Sequence, residues 1–107
     1  MSKMIECVID SVRVSLTNQD RIIVLKDKQS QRYLPIWIGV YESEAITIAL
    51  QSIAVARPLT HDLMRSVIET LGGKLVGVEV SAIENDTFYS NLIIETPDGI
   101  KHVDCRP

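Results

Sequence analysis

Between Arg57 and Asp62 a guanidinium, a hydroxyl, an imidazole and a carboxylate fall within six positions, Arg57-Pro58-Leu59-Thr60-His61-Asp62. Those types suit acid–base chemistry beside a bound anion, where a water is activated and charge is neutralised. His61 is the candidate general base or acid, because an unperturbed imidazole titrates near neutrality. Arg57 and Arg106 offer paired donors for a phosphate, and Thr60 adds a hydroxyl. Glu42, Glu44, Asp62 and Asp104 are carboxylates that can hold a divalent ion. Magnesium or manganese keeps several waters, so two carboxylates suffice, and Asp62 with Asp104 is the candidate pair. Each residue also has a plainer use. Thr60 and Asp62 suit a helix cap, and Glu42 and Glu44 suit a helix start. Arg57 and Asp104 can simply pair, and His102, inside a strand pattern, suits a sheet surface.

The elements that must position these groups can be read in order. Residues 4–16 alternate as a strand whose inward face changes parity near Asp10-Ser11, which predicts a β-bulge. Thr17 to Asp20 has turn chemistry. Arg21 to Asp27 is a β-branched strand, and Tyr33 to Ile38 is a third, placed at an edge or a bulge by Pro35. Gly39 closes it. A helix opens at Tyr41-Glu42-Ser43-Glu44, with Ile46, Ala49, Leu50, Ile53 and Ala54 as its apolar stripe. Pro58 biases Arg57 away from helical geometry. A second helix then starts, with Thr60 as its cap, Leu63, Met64, Val67, Ile68 and Leu71 at helical spacing, and Gly72-Gly73 as its stop. The polar group therefore belongs at a helix N-terminus, where amides favour an anion. A small anionic ligand bound there is a further reading.

Lys74 to Glu84 reads as a strand with Val76, Val78, Val80 and Ala82 on one face. Glu84-Asn85-Asp86 turns the chain into the strand Thr87 to Glu95, with Phe88, Leu92 and Ile94 on one face. Thr96-Pro97-Asp98-Gly99 is a hairpin signal, and Ile100 to Cys105 is the last strand. The order β-β-β-α-α-β-β-β predicts an α+β fold, with a mostly antiparallel sheet of about six strands and two helices packed on it. Residues 87–107 echo residues 21–50 up to the point where a helix would follow, which points to an internal duplication.

The 107 residues fit one domain with a single modest core. A 46% hydrophobic and 23% charged content is that of an ordinary globule. No apolar run approaches the roughly 20 residues of a membrane span, and Met1 to Glu6 lacks signal-peptide features, so a cytoplasmic location is expected. Cys7 and Cys105 are read as thiols, and no local ligand spacing supports a zinc site with His61 and His102. The net charge of −3 argues against a protein that holds a nucleic-acid backbone by charge alone.

Leu34-Pro35-Ile36-Trp37-Ile38-Gly39, Glu44-Ala45-Ile46, Arg57-Pro58-Leu59-Thr60-His61-Asp62-Leu63, Leu71-Gly72-Gly73 and Asp104-Cys105-Arg106-Pro107, in this order, resemble the bifunctional nuclease family over nearly the whole chain. The resemblance implies an α+β fold of the family's own type, an oligomer, and nuclease action on DNA and RNA. Family members continue past Asp-x-Arg-Pro into Ser-Asp-Ala and an alanine-rich helix. The sequence here ends at Pro107, so that helix is expected to be missing, its place taken by a second subunit. The leading expectation is a nuclease with a site around His61 and Asp62, joined by Glu44, Asp104, Arg57, Thr60 and Arg106. The alternative is a non-catalytic homo-oligomeric regulatory or interaction module. Tyr33, Trp37, Tyr41, Phe88 and Tyr89 are types that stack on bases, but their strand spacing reads first as core or subunit contact.

Overall fold

A computed structural model describes residues 4–107. The elements are β1 (Cys7–Val14), β2 (Arg21–Asp27), β3 (Tyr33–Ile38), α1 (Val40–Leu50), α2 (Thr60–Thr70), β4 (Lys74–Glu84), β5 (Thr87–Thr96) and β6 (Gly99–Cys105). The α+β order is the expected one. The six strands form two antiparallel sheets, β1-β2-β3 and β4-β5-β6. By its internal contacts the chain divides into two compact units, Met1–Ala54 and Val55–Pro107, each with one sheet and one helix. Each sheet is a three-stranded meander in chain order. Among the described residues no helix is long and apolar enough to cross a membrane.

In the first unit the pairing shifts between Ile9 and Ser11, so the bulge falls at Asp10. Among the described residues β3 pairs with β2 alone, and Pro35 therefore sits on an edge strand where its missing N–H is harmless. Ile23 and Ile36 face each other across β2 and β3 and are the buried centre, 6% and 3% exposed. Arg21 shares the face of Ile23, and its Nη1 donates to Ser43 Oγ in the first turn of α1 at 3.1 Å. Ser43 is fully buried and its hydroxyl donates in turn to the Val40 carbonyl. α1 thus lies on the Ile23 side. The helix stops at Leu50, earlier than the apolar stripe suggests. Ser52, at φ 52°, turns the backbone left-handed, so Ile53 and Ala54 lie beyond the helix.

The β2–β3 turn is built on Asp27. Its carboxylate accepts from the Gln29 amide, the Ser30 hydroxyl and Arg32 Nη2, each at 2.9 Å. The Gln29 amide first, then Arg32 and Ser30, hold this carboxyl below its ordinary pKa.

In the second unit β4 carries two register shifts, between Leu75 and Gly77 and between Val80 and Ala82. Val76 and Ser81 are the extra residues. The expected common face of Val76, Val78, Val80 and Ala82 is therefore corrected to Leu75, Val78 and Val80, which lie opposite Ile94, Leu92 and Ser90. Asn85 and Asp86 both take positive φ in the β4–β5 turn, and Gly99 does so at φ +114° in the β5–β6 hairpin. Gly72, at φ +91°, ends α2. At Gly73 the chain passes so close to Ile68 of α2 and Ile94 of β5 that a Cβ would stand 3.0 Å from a methyl of each. α2 thus lies on the Ile94 side of its sheet. Buried Ser90 donates to the Cys105 carbonyl at 2.7 Å and ties β5 to β6. Both cysteines are free thiols.

Candidate functional site

The start of α2 differs from the expected cap. Leu59, in extended geometry, is the N-cap residue, and Thr60 is the first helical residue. Asp62 does the capping. Its Oδ2 accepts the Leu59 amide at 2.9 Å, one half of a capping box. The Thr60 hydroxyl makes no hydrogen bond among the described residues, and neither do the side chains of Arg57 and His61. All four side chains are exposed. Three polar groups at the positive end of a helix are thus unoccupied by structural work, while the fourth is partly used.

Asp104 and Arg106 are exposed at the far end of β6. The register puts Asp104 opposite Asn91, which lies opposite Glu79. This row lies on the other face from Ile94, Leu92 and Ser90, because alternate strand residues point to opposite sides. Asp104 therefore faces away from the side on which α2 packs. No hydrogen bond or ion pair among the described residues joins Asp104 or Arg106 to the α2 start, and Arg57 does not pair with Asp104. His102 is exposed two residues before Asp104 on the same outer face, as its strand position suggests. Glu44 is exposed on α1 in the first unit.

Asp62 and Asp104 thus do not assemble a common donor set. Among the described residues no cluster of three or more histidine, cysteine or carboxylate side chains is spaced to hold a metal ion. Asn91 and Glu79 were not marked by sequence, since only strand register places them beside Asp104, and a single chain carries no local signal for register.

Comparison with known proteins covers most of the chain. Two relatives from two strains of Mycobacterium tuberculosis, both described as uncharacterized proteins, are each 40% identical over 96 residues. The match takes in 90% of this chain but 57% of each relative, so the chain spans little more than half their length. The profile of the bifunctional nuclease domain matches residues 23–107, across both units and including every candidate site residue named above. The chain belongs to the bifunctional nuclease domain family.

Proposed function

We propose that this domain hydrolyses phosphodiester bonds of nucleic acid at the exposed start of α2. The observation that carries the reading is the division of labour there. Asp62 supplies the cap, and the Thr60 hydroxyl, His61 imidazole and Arg57 guanidinium are left exposed and unengaged. The α2 amides and Arg57 would bind a phosphate oxygen, and Thr60 would donate to a second one. His61 would take the proton from the attacking water as its oxygen bonds to phosphorus, the opposite P–O bond would break with the leaving oxygen taking a proton from bulk water, and Arg57 would meet the charge that develops at phosphorus. Arg106 would meet a further phosphate, while the Asp104 and Glu44 carboxylates take no part in this proton transfer. The test is cleavage of an end-labelled single-stranded oligonucleotide in three arms: magnesium, manganese and EDTA. Cleavage in the EDTA arm supports chemistry by these side chains alone. Cleavage confined to a metal arm moves the metal to centre stage and this proton-transfer scheme aside. No cleavage in any arm removes the reading.

A second reading, a homo-oligomeric interaction module, has its own observation. The α2 residues Leu63, Met64, Val67 and Leu71 are all exposed despite their helical spacing. A self-association burying this surface is expected to appear in light scattering as a dimer or larger species, and a monomer at micromolar concentration removes that reading.

A further inference from the structure

The sheet of the first unit has two unlike faces. α1 and the buried pair Ile23 and Ile36 take one of them. The other carries Val8, Ser11 and Arg13 from β1, Ile22, Val24 and Lys26 from β2, and Tyr33, Pro35 and Trp37 from β3, as the register requires. On this outer face Trp37 is 62% and Tyr33 51% exposed. These are large aromatic rings on an edge strand, neither core nor covered.

Three features of this face go together. First, the two rings sit on the same side of β3 four positions apart, about 13 Å along the strand, so they seat two separate bases with Pro35 between them. Second, the indole is fixed at its edge: Trp37 Nε1 donates to Asp20 Oδ2 at 3.3 Å, which leaves the ring face open. Third, the strand residues of the face include two cations and no carboxylate, in a chain whose net charge is −3. Lys26 lies directly opposite Tyr33, and Arg13 stands in the same cross-strand row as Ile22 and Trp37. Neither cation has a carboxylate partner among the described residues. Arg13 Nε donates to Ser11 Oγ, and Lys26 Nζ to the Asp27 carbonyl. Two carboxylates border the face through its own residues: Asp20 accepts from Trp37 Nε1 and Asp10 from the Ser11 hydroxyl, so the face is close to neutral and the rings carry most of the binding.

We infer that this outer face of the β1-β2-β3 sheet is a docking platform for single-stranded nucleic acid, with bases stacked on Tyr33 and Trp37 and phosphates met by Arg13 and Lys26. Stacking on aromatic faces is indifferent to sequence, and unpaired bases expose the faces it needs, which a duplex does not. The two cations account for two phosphates and no more, which fits a platform that works by rings first and charge second. The inference rests on the nucleic-acid reading above, and it assigns strand capture to residues of the first unit.

Trp37 is the single tryptophan of the chain, so its fluorescence reports on this surface alone. The experiment titrates the full chain with a 12-nucleotide oligothymidylate in EDTA, against a duplex of equal length. The expected result is saturable quenching by the single strand and little by the duplex. By fluorescence anisotropy of a labelled strand, Tyr33→Ala and Trp37→Ala should each weaken binding about 5- to 150-fold, the range for loss of one stacked base. Arg13→Gln with Lys26→Gln should lower the salt slope of log K by about 1.4. Binding that survives both aromatic substitutions, or that leaves the tryptophan unquenched, overturns the platform. So does a Tyr33→Ala/Trp37→Ala chain that turns from dimer to monomer, since the face would then be covered by a second copy. Cleavage without quenching rejects the platform and keeps the nuclease; quenching without cleavage rejects the nuclease and keeps the platform.

Discussion

Replacing Asp62 by alanine should cost stability before it tells anything about chemistry. The Asp62 carboxylate satisfies the Leu59 amide at 2.9 Å, and Leu59 has no side chain able to cap the helix itself. Losing such a cap costs about 0.5–2 kcal/mol. Losing a negative charge from the first turn adds about 0.3–1 kcal/mol at low salt. Asp62 is exposed, so no cavity follows, and the total is about 0.8–3 kcal/mol. Asp62→Asn keeps an amide oxygen for the Leu59 N–H and loses only the charge, so it should cost about 0.3–1 kcal/mol, less still at high salt. Urea titration of the three proteins at low and high salt measures this, the midpoint moving while the slope stays. Equal losses for the two substitutions, or no loss for alanine, would refute the assignment of Asp62 as the cap. Once that ladder stands, the asparagine chain is the proper probe of catalysis, because its helix start is intact.

Other expectations follow from single contacts. Asp27 has a depressed folded-state pKa, so its stabilising contribution is complete above the unfolded value of about 3.9 and is lost as pH falls through the folded value; urea midpoints between pH 7 and pH 3 should fall in the native chain and much less in Asp27→Asn. Gly73→Ala puts a methyl 3.0 Å from Ile68 Cγ2 and Ile94 Cγ2 and 3.2 Å from the Ile68 carbonyl, an overpacking expected to cost about 1–3 kcal/mol, and Ile94→Leu in the same chain, which removes the Cγ2 branch at similar volume, should recover part of it. Ser90→Ala removes the 2.7 Å bond to the Cys105 carbonyl and should lower stability by about 1 kcal/mol in the same assay.

Local chemistry was legible in the sequence, and long-range register was not. The parity change at Asp10 announced a bulge because it alters the face of every residue after it. Asn85-Asp86 and Thr96 to Gly99 announced turns because their residue types tolerate positive φ or bond their own backbone. The sequence places the cap of α2 one residue late, since Thr60 is a better capping type than Leu59 and nothing local reveals that Asp62 reaches back. The β4 bulges at Val76 and Ser81 were hidden in a run of apolar residues that reads as smooth alternation. The candidate site suffered most. That Asp104 shares a row with Asn91 and Glu79, away from α2, is a property of strand pairing. The outer face with Tyr33 and Trp37 was ambiguous for a related reason: β3 is apolar on both sides, so its sequence alone does not say which side α1 covers.

The most direct measurement is the initial rate of oligonucleotide cleavage by His61→Ala beside the native chain, with urea midpoints taken on the same samples. His61 is exposed and unbonded, so its loss should leave the midpoint unchanged and lower the rate by about 100-fold or more. A His61→Ala chain that cuts at the native rate contradicts the account.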